Sequence, residues 1–180
     1  GGSYGGQGTF GAYNGAKTPG ETFGDRKLDA LIAGAGGSGA SGWWDGGQNR
    51  ERGAGAGGAG GGALELVADG NGSVTIGTGV KILVDGGDIP DTATDSDNWR
   101  GGNGGGGSGG AIRLEGGSIS IAGTLEAKGG NGLTATPGGG GRIAIKTNGN
   151  LTLGTTKLDG YTPGTLHISG ATATSAINLS

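Results

Sequence analysis

Cysteine and methionine are both absent from this chain of 180 residues, and only 4 prolines are present. Without cysteine there is no disulfide, no thiolate nucleophile and no thiolate metal site. Because methionine is missing even at position 1, we expect the chain to be a processed or excised piece. No apolar run approaches the roughly 18 residues that a transmembrane helix needs, so the sequence predicts no membrane span.

Strong positive charge is also missing. The chain has 12 basic and 15 acidic residues, which give a net charge of −3, and its aromatic content is 4%. Nucleic-acid binding needs a basic stripe or stacking aromatics, so we predict none. No long glycine-free window shows a period of 3.6 residues, which excludes a helical protein.

Glycine, in contrast, accounts for 52 of the 180 residues. It does not recur at every third position, and with so little proline a collagen is excluded. Three segments repeat one pattern, in which Gly-Gly is followed by two or three short alternations of apolar and polar residues. They are 61–85, 109–128 and 140–159, and a shorter fourth copy follows, with Leu166, Ile168, Ile177 and Leu179 as its apolar positions.

Strict alternation predicts strands with one buried face and one solvated face. Three such strands in each unit of roughly 20 residues favour an all-β, parallel, right-handed β-solenoid, in which each unit stacks on the next. The alternative is an antiparallel β-sandwich or meander, because Gly116-Gly117 and Asn148-Gly149 resemble hairpin turns. A two-residue loop aligns the apolar faces at 116–117 but not at 148–149, so the meander needs a different turn in each unit.

The chain divides by composition at residue 62. Residues 1–62 form a glycine- and aromatic-rich N-terminal region, which we predict to pack on a β-solenoid of residues 63–180. Glycine-rich inserts interrupt the solenoid at 86–108 and 129–139. Because glycine permits close backbone approach, we predict that these inserts pack side by side as extended, polyproline-II-like chains.

Several blocks carry a family resemblance. GGGGSGGAIRLEGG at 104–117 and GGGGRIAI at 138–145 resemble the glycine-rich repeat regions of very large secreted or surface-exposed proteins. SISIAGTLEAKGG at 118–130 resembles the rungs of filamentous-haemagglutinin-like β-helix adhesins. The resemblance implies an extracellular or cell-surface scaffold, adhesin or fibre, and it implies no reaction.

One acidic run is a candidate metal site. Five carboxylates without an intervening cation, at loop spacing, suit Ca²⁺, the only cofactor that the sequence indicates. The spacing matches neither an EF-hand nor a nonapeptide calcium repeat, and the alternative is a solvated acidic loop. The five are Asp85, Asp88, Asp91, Asp95 and Asp97.

Aromatic and terminal apolar residues are candidates for binding or assembly. Tyr4, Trp43, Trp44 and Trp99 could stack on glycans or on a neighbouring subunit, or they could anchor a region that is poor in side chains. The pattern of Ile177 and Leu179 predicts a last strand with no visible cap, and an uncapped strand edge pairs readily with another chain.

These observations predict a non-enzymatic, extracellular structural protein that assembles end to end with itself into a filament. The first alternative is an adhesive or glycan-binding module of a large surface protein. The second is a polysaccharide-acting enzyme, for which Asp88 and Asp91, with Arg100 nearby, are the only convergent candidates.

Overall fold

The structure is a computed structural model that describes residues 2–8, 20–39, 43–45, 50–52, 55–89, 104–132, 137–154, 158–159, 164–170 and 172–173. The described residues contain strands and no helix, which confirms the predicted all-β class. The strands are β1 (Trp43–Asp45), β2 (Arg50–Arg52), β3 (Ala63–Val67), β4 (Ser73–Ile76), β5 (Lys81–Leu83), β6 (Ala111–Gly116), β7 (Ser118–Ile121), β8 (Thr124–Glu126), β9 (Arg142–Thr147), β10 (Asn150–Leu153), β11 (Leu158–Asp159), β12 (Thr165–Ser169) and β13 (Thr172–Ala173).

From β3 onward every strand pairing is parallel, and each strand pairs with the strand that lies three places later in the chain. Three sheets result, ordered β3-β6-β9-β12, β4-β7-β10-β13 and β5-β8-β11. We call β3–β5 repeat 1, β6–β8 repeat 2, β9–β11 repeat 3 and β12–β13 repeat 4. Each repeat therefore places its strands in the three sheets in the same order.

The antiparallel alternative is wrong for these strands. Gly116-Gly117 does not close a hairpin, because β6 and β7 on its two sides belong to different sheets. Only β1 and β2 pair antiparallel among the described strands. Parallel stacking satisfies all repeats at once because it places equivalent residues in one row, whereas the hairpins would need a different loop in each repeat.

The core lies between the three sheets and consists of the alternating apolar residues. Leu64, Ile112, Ile143 and Leu166 occupy one row across the first sheet. In repeat 2 the inward residues are almost inaccessible, since Ile112, Leu114 and Leu125 are all 0% exposed. The alternation Val80, Ile82, Val84 of the first segment predicts that all three face inward, but Val80 precedes β5 and is 45% exposed.

Seven segments outside the three parallel sheets, most of them glycine-rich, form a second body, which we call the glycine bundle. Its central segment, 104–110, is buried throughout and leads directly into β6. Backbone hydrogen bonds connect this segment to six neighbours, which are 2–6, 34–39, 55–62, 84–89, 127–132 and 137–142.

Hydrogen bonds within the bundle recur every three residues. Gly105 and Ser108 donate to the carbonyls of Ser38 and Ala35, while Gly107 and Gly110 donate to those of Gly87 and Val84. Exposure follows the same period: within 55–62 the buried residues are Gly55, Gly58 and Gly61, and the exposed ones are Ala56, Ala59 and Gly62. Each segment thus presents a different edge to each neighbour in turn.

Candidate assembly surface

Repeat 1 ends the stack with three strand edges that no described strand covers. β3, β4 and β5 are each the terminal strand of a sheet. The chain that precedes β3 enters the glycine bundle, where Gly58 and Gly61 donate to the carbonyls of Gly105 and Ser108. The residues before repeat 1 that the structure describes therefore do not add a strand to this end.

Hydrogen-bond direction identifies the backbone groups of β3 that point away from β6. Ala111 donates to the carbonyl of Gly62, and Ala68 donates to that of Glu115. The even-numbered residues of this strand consequently point their backbone groups at β6, since successive residues of a strand point to opposite sides. The amides and carbonyls of Ala63, Glu65 and Val67 point to the open side.

Apolar side chains are less covered in repeat 1 than in repeat 2. Val67 and Leu83, on the outer faces of β3 and β5, are 51% and 53% exposed. Leu64 and Leu66 are only partly buried, in contrast to Ile112 and Leu114 of the next repeat. A strand edge beside inward apolar residues that are only partly covered is a template for another strand.

Charged residues on the outer face of the first sheet alternate in sign between neighbouring repeats. The carboxylate of Glu65 lies 3.0 Å from the Arg113 guanidinium, and that of Glu115 lies 2.7 Å from the Lys146 ammonium. Hydrogen bonds from Lys146 and then Arg113 lower the pKa of Glu115. These pairs hold neighbouring repeats in a defined register.

Tyr4, which the sequence suggested for binding, is fully buried and offers no surface to a ligand. Its ring lies 5.0 Å from that of Phe23 and 5.1 Å from the Arg142 guanidinium. Burial raises the pKa of the Tyr4 phenol. These contacts attach the N-terminal region to Phe23 and to Arg142 of the first sheet.

Arg142 fastens that region to the first sheet, a role that no local sequence pattern indicates. Its guanidinium donates to the carbonyl oxygens of Phe23 at 2.8 Å and Tyr4 at 3.2 Å, and to the Thr165 hydroxyl at 3.2 Å. Leu28 packs beside it in a small buried cluster with Tyr4, Ala111 and Ala144. We call residues 20–32 the strap, because they cross the outer face of this sheet.

The two described aspartates of the acidic run, Asp85 and Asp88, each accept a hydrogen bond from a backbone amide. Asp85 Oδ1 accepts from the Lys128 amide at 2.7 Å, and Asp88 Oδ1 accepts from the Asn131 amide at 2.6 Å. Burial raises the pKa of Asp85. Each carboxylate thus ties one bundle segment to the next, and within the described part of the chain no cluster of three metal-ligating side chains is present.

The remaining candidates lie beyond what the structure describes. Asp91, Asp95, Asp97, Trp99, Ile177 and Leu179 fall outside the described residues. Trp43 and Trp44 lie on β1, opposite Arg52 and Glu51 of β2, and their side chains are not described.

Comparison with known proteins adds no assignment: no protein-family model, no curated protein and no solved structure matches this chain. In the described residues we find no helix of the length and apolarity that crossing a bilayer requires.

Proposed function

We propose that this protein is an extracellular structural subunit that stacks end to end into a filament, and that repeats 1–4 form a right-handed β-solenoid. The observation that carries the proposal is the open end of repeat 1, where three strand edges lie beside inward leucines, Leu64 and Leu66, that are less buried than Ile112 and Leu114 of repeat 2. Solenoids normally carry a polar cap at their ends, because an uncovered edge pairs with other chains.

The glycine bundle supports a structural role. Its three-residue hydrogen-bonding period supports the proposal that its segments are polyproline-II-like chains, which have three residues per turn. The bundle uses its backbone groups for cohesion, so a large part of the chain contributes hydrogen bonds rather than chemically reactive side chains. The extracellular location rests on the resemblance of the glycine-rich blocks to those of secreted and surface-exposed proteins.

Electron microscopy of the native protein tests the proposal, together with sedimentation over a wide concentration range. We expect filaments whose subunits rise by roughly 19 Å, since four repeats stack at about 4.8 Å each. Particles that keep the mass of a single chain at every concentration would rule out the proposed function.

A further inference from the structure

We infer that the partner of the open β3 edge is β12 of a second copy of this chain, in parallel and in register. This inference rests on the proposed function and adds to it the polarity of the contact and the residues that meet. It follows from the row positions, from the hydrogen-bonding pattern and from the charges of the two edge strands.

Residues of β12 and β3 occupy equivalent positions in the rows that run across the strands of the first sheet. Through the pairings of β12 with β9, β9 with β6, and β6 with β3, Leu166 corresponds to Leu64 and Ile168 corresponds to Leu66. All residues of β12 are half-buried, and no described strand pairs with its outer edge. A second copy that continued the stack would place the half-buried leucines of β3 over those apolar side chains.

The backbone groups of the two edges are complementary. Thr165 donates to the carbonyl of Gly141, so the odd-numbered residues of β12 point at β9. Leu166 and Ile168 therefore point their amides and carbonyls to the open side. Within the chain, Arg142 of β9 donates to Gly110 in front of β6, and Arg142 holds the same row position as Ala63. The open groups of Ala63, Glu65 and Val67 thus repeat, toward the next copy, the bonding that already joins β9 to β6.

Charge selects this polarity over a symmetric contact. Stacking β3 on β12 places Glu65 beside His167, which continues a row containing Glu65 and Arg113 without opposing like charges. A two-fold contact of β3 with itself would be antiparallel and would place Glu65, the middle residue, opposite its own copy. Like charges directly opposite each other destabilise strand pairs.

Disulfide trapping tests the inference, because the chain has no cysteine of its own. Two single variants, Glu65→Cys and His167→Cys, carry tags of different size and are mixed under mild oxidation. Stacked strands lie about 4.8 Å apart, close to the Cβ separation of a disulfide. We expect mixed dimers to exceed either homodimer by at least tenfold. Glu21→Cys, an exposed position on the strap, replaces Glu65→Cys in the control and should not cross-link.

The outcomes separate this inference from the proposed function. Filaments that form while only homodimers of one variant appear would overturn the β3–β12 contact and leave the filament proposal standing. Filaments that form without any cross-link would overturn the proposed register of β3 on β12 and would leave the filament proposal standing. Absence of filaments and of cross-links would overturn both.

Discussion

The backbone amide of Ala35 donates to the hydroxyl of Ser108 at 2.7 Å, and that hydroxyl lies 3.2 Å from the carbonyl oxygen of Ala35. Ser108 is the one residue of the buried central segment 104–110 that has a side chain. Its Oγ takes the place of a backbone acceptor for Ala35, so a serine fits where the neighbouring positions require glycine.

Replacing Ser108 by alanine should destabilise the protein by about 1–3 kcal/mol, because the Ala35 amide would lose its buried acceptor. Urea unfolding followed by circular dichroism measures the change. Ser120→Ala, on the half-buried outer face of β7, is the matched control and should stay within about 0.5 kcal/mol. An equal loss in both variants would contradict this role of Ser108.

Glycine positions within the bundle should differ sharply in their tolerance of a methyl group. A Cβ at Gly107 would overlap the carbonyl group of Ala59, whereas a Cβ at Gly62 would meet no atom within 4 Å. We expect Gly107→Ala to cost about 1–3 kcal/mol or more through overpacking. Gly62→Ala should be neutral or should stabilise by about 0.4–1 kcal/mol, since alanine restricts the unfolded chain. Thermal unfolding of the two variants decides, and equal midpoints would argue against close backbone packing at Gly107.

The β-rich class and most of the core could be predicted because each strand carries its own alternating signal. The alternation around 116–117 places Ile112 and Leu114 on one face with Ile119 and Ile121, and all four are buried. The local pattern did not exclude a hairpin at 116–117, because a hairpin and a parallel stack both place these four residues on the buried side.

The connections of the glycine bundle and the strap could not be predicted in the same way. Glycines have no side chains whose pattern could identify their partners, so the sequence does not predict that 104–110 pairs with 34–39. The buried guanidinium of Arg142 donates hydrogen bonds to the carbonyls of Tyr4 and Phe23, and Phe23 is 119 positions away in the chain. Such distant contacts have no local signature.

Arg142→Lys should loosen the strap while leaving the sheets intact. One ammonium group cannot reproduce the guanidinium geometry that reaches the Tyr4 and Phe23 carbonyls together with Thr165. We expect faster hydrogen exchange at 2–8 and 20–32, with the exchange of β6 and β7 unchanged. Arg26→Lys, at an exposed position of the strap, serves as the control. Uniform acceleration over the whole chain would contradict a local fastening role.

The pH dependence of stability should include a contribution from Glu115. The hydrogen bonds from Lys146 and Arg113 hold its pKa below the ordinary value. A lowered pKa stabilises the fold at pH values above the ordinary glutamate pKa of about 4.3, and this stabilisation disappears as the pH falls through the lower, folded-state value. The stability difference between the wild type and Glu115→Gln should therefore shrink on acidification from pH 7 to pH 3.

A second background identifies the source of that Glu115 effect. In a Lys146→Gln background, the pH-dependent part of the difference should be smaller, because the carboxylate no longer accepts a hydrogen bond from the Lys146 ammonium. Thermal midpoints of the four proteins across the pH range provide the measurement. An unchanged pH-dependent difference in that background would show that Lys146 is not the cause.

Removing backbone donors from the open end should abolish assembly without unfolding the subunit. The amide of Val67 points away from β6, and that of Thr75 points away from β7, since Ala122 and Gly117 donate to the carbonyls of Ile76 and Gly72. Proline lacks the amide and is tolerated on edge strands where that amide is unpaired. We expect the double variant Val67→Pro, Thr75→Pro to keep its circular dichroism spectrum and to sediment as single chains.

The matched control, Val67→Ala with Thr75→Ala, removes the same side chains but retains both amides, and it should still form filaments. Filaments from the proline variant with the dimensions of the wild type would show that assembly does not use the edge of repeat 1.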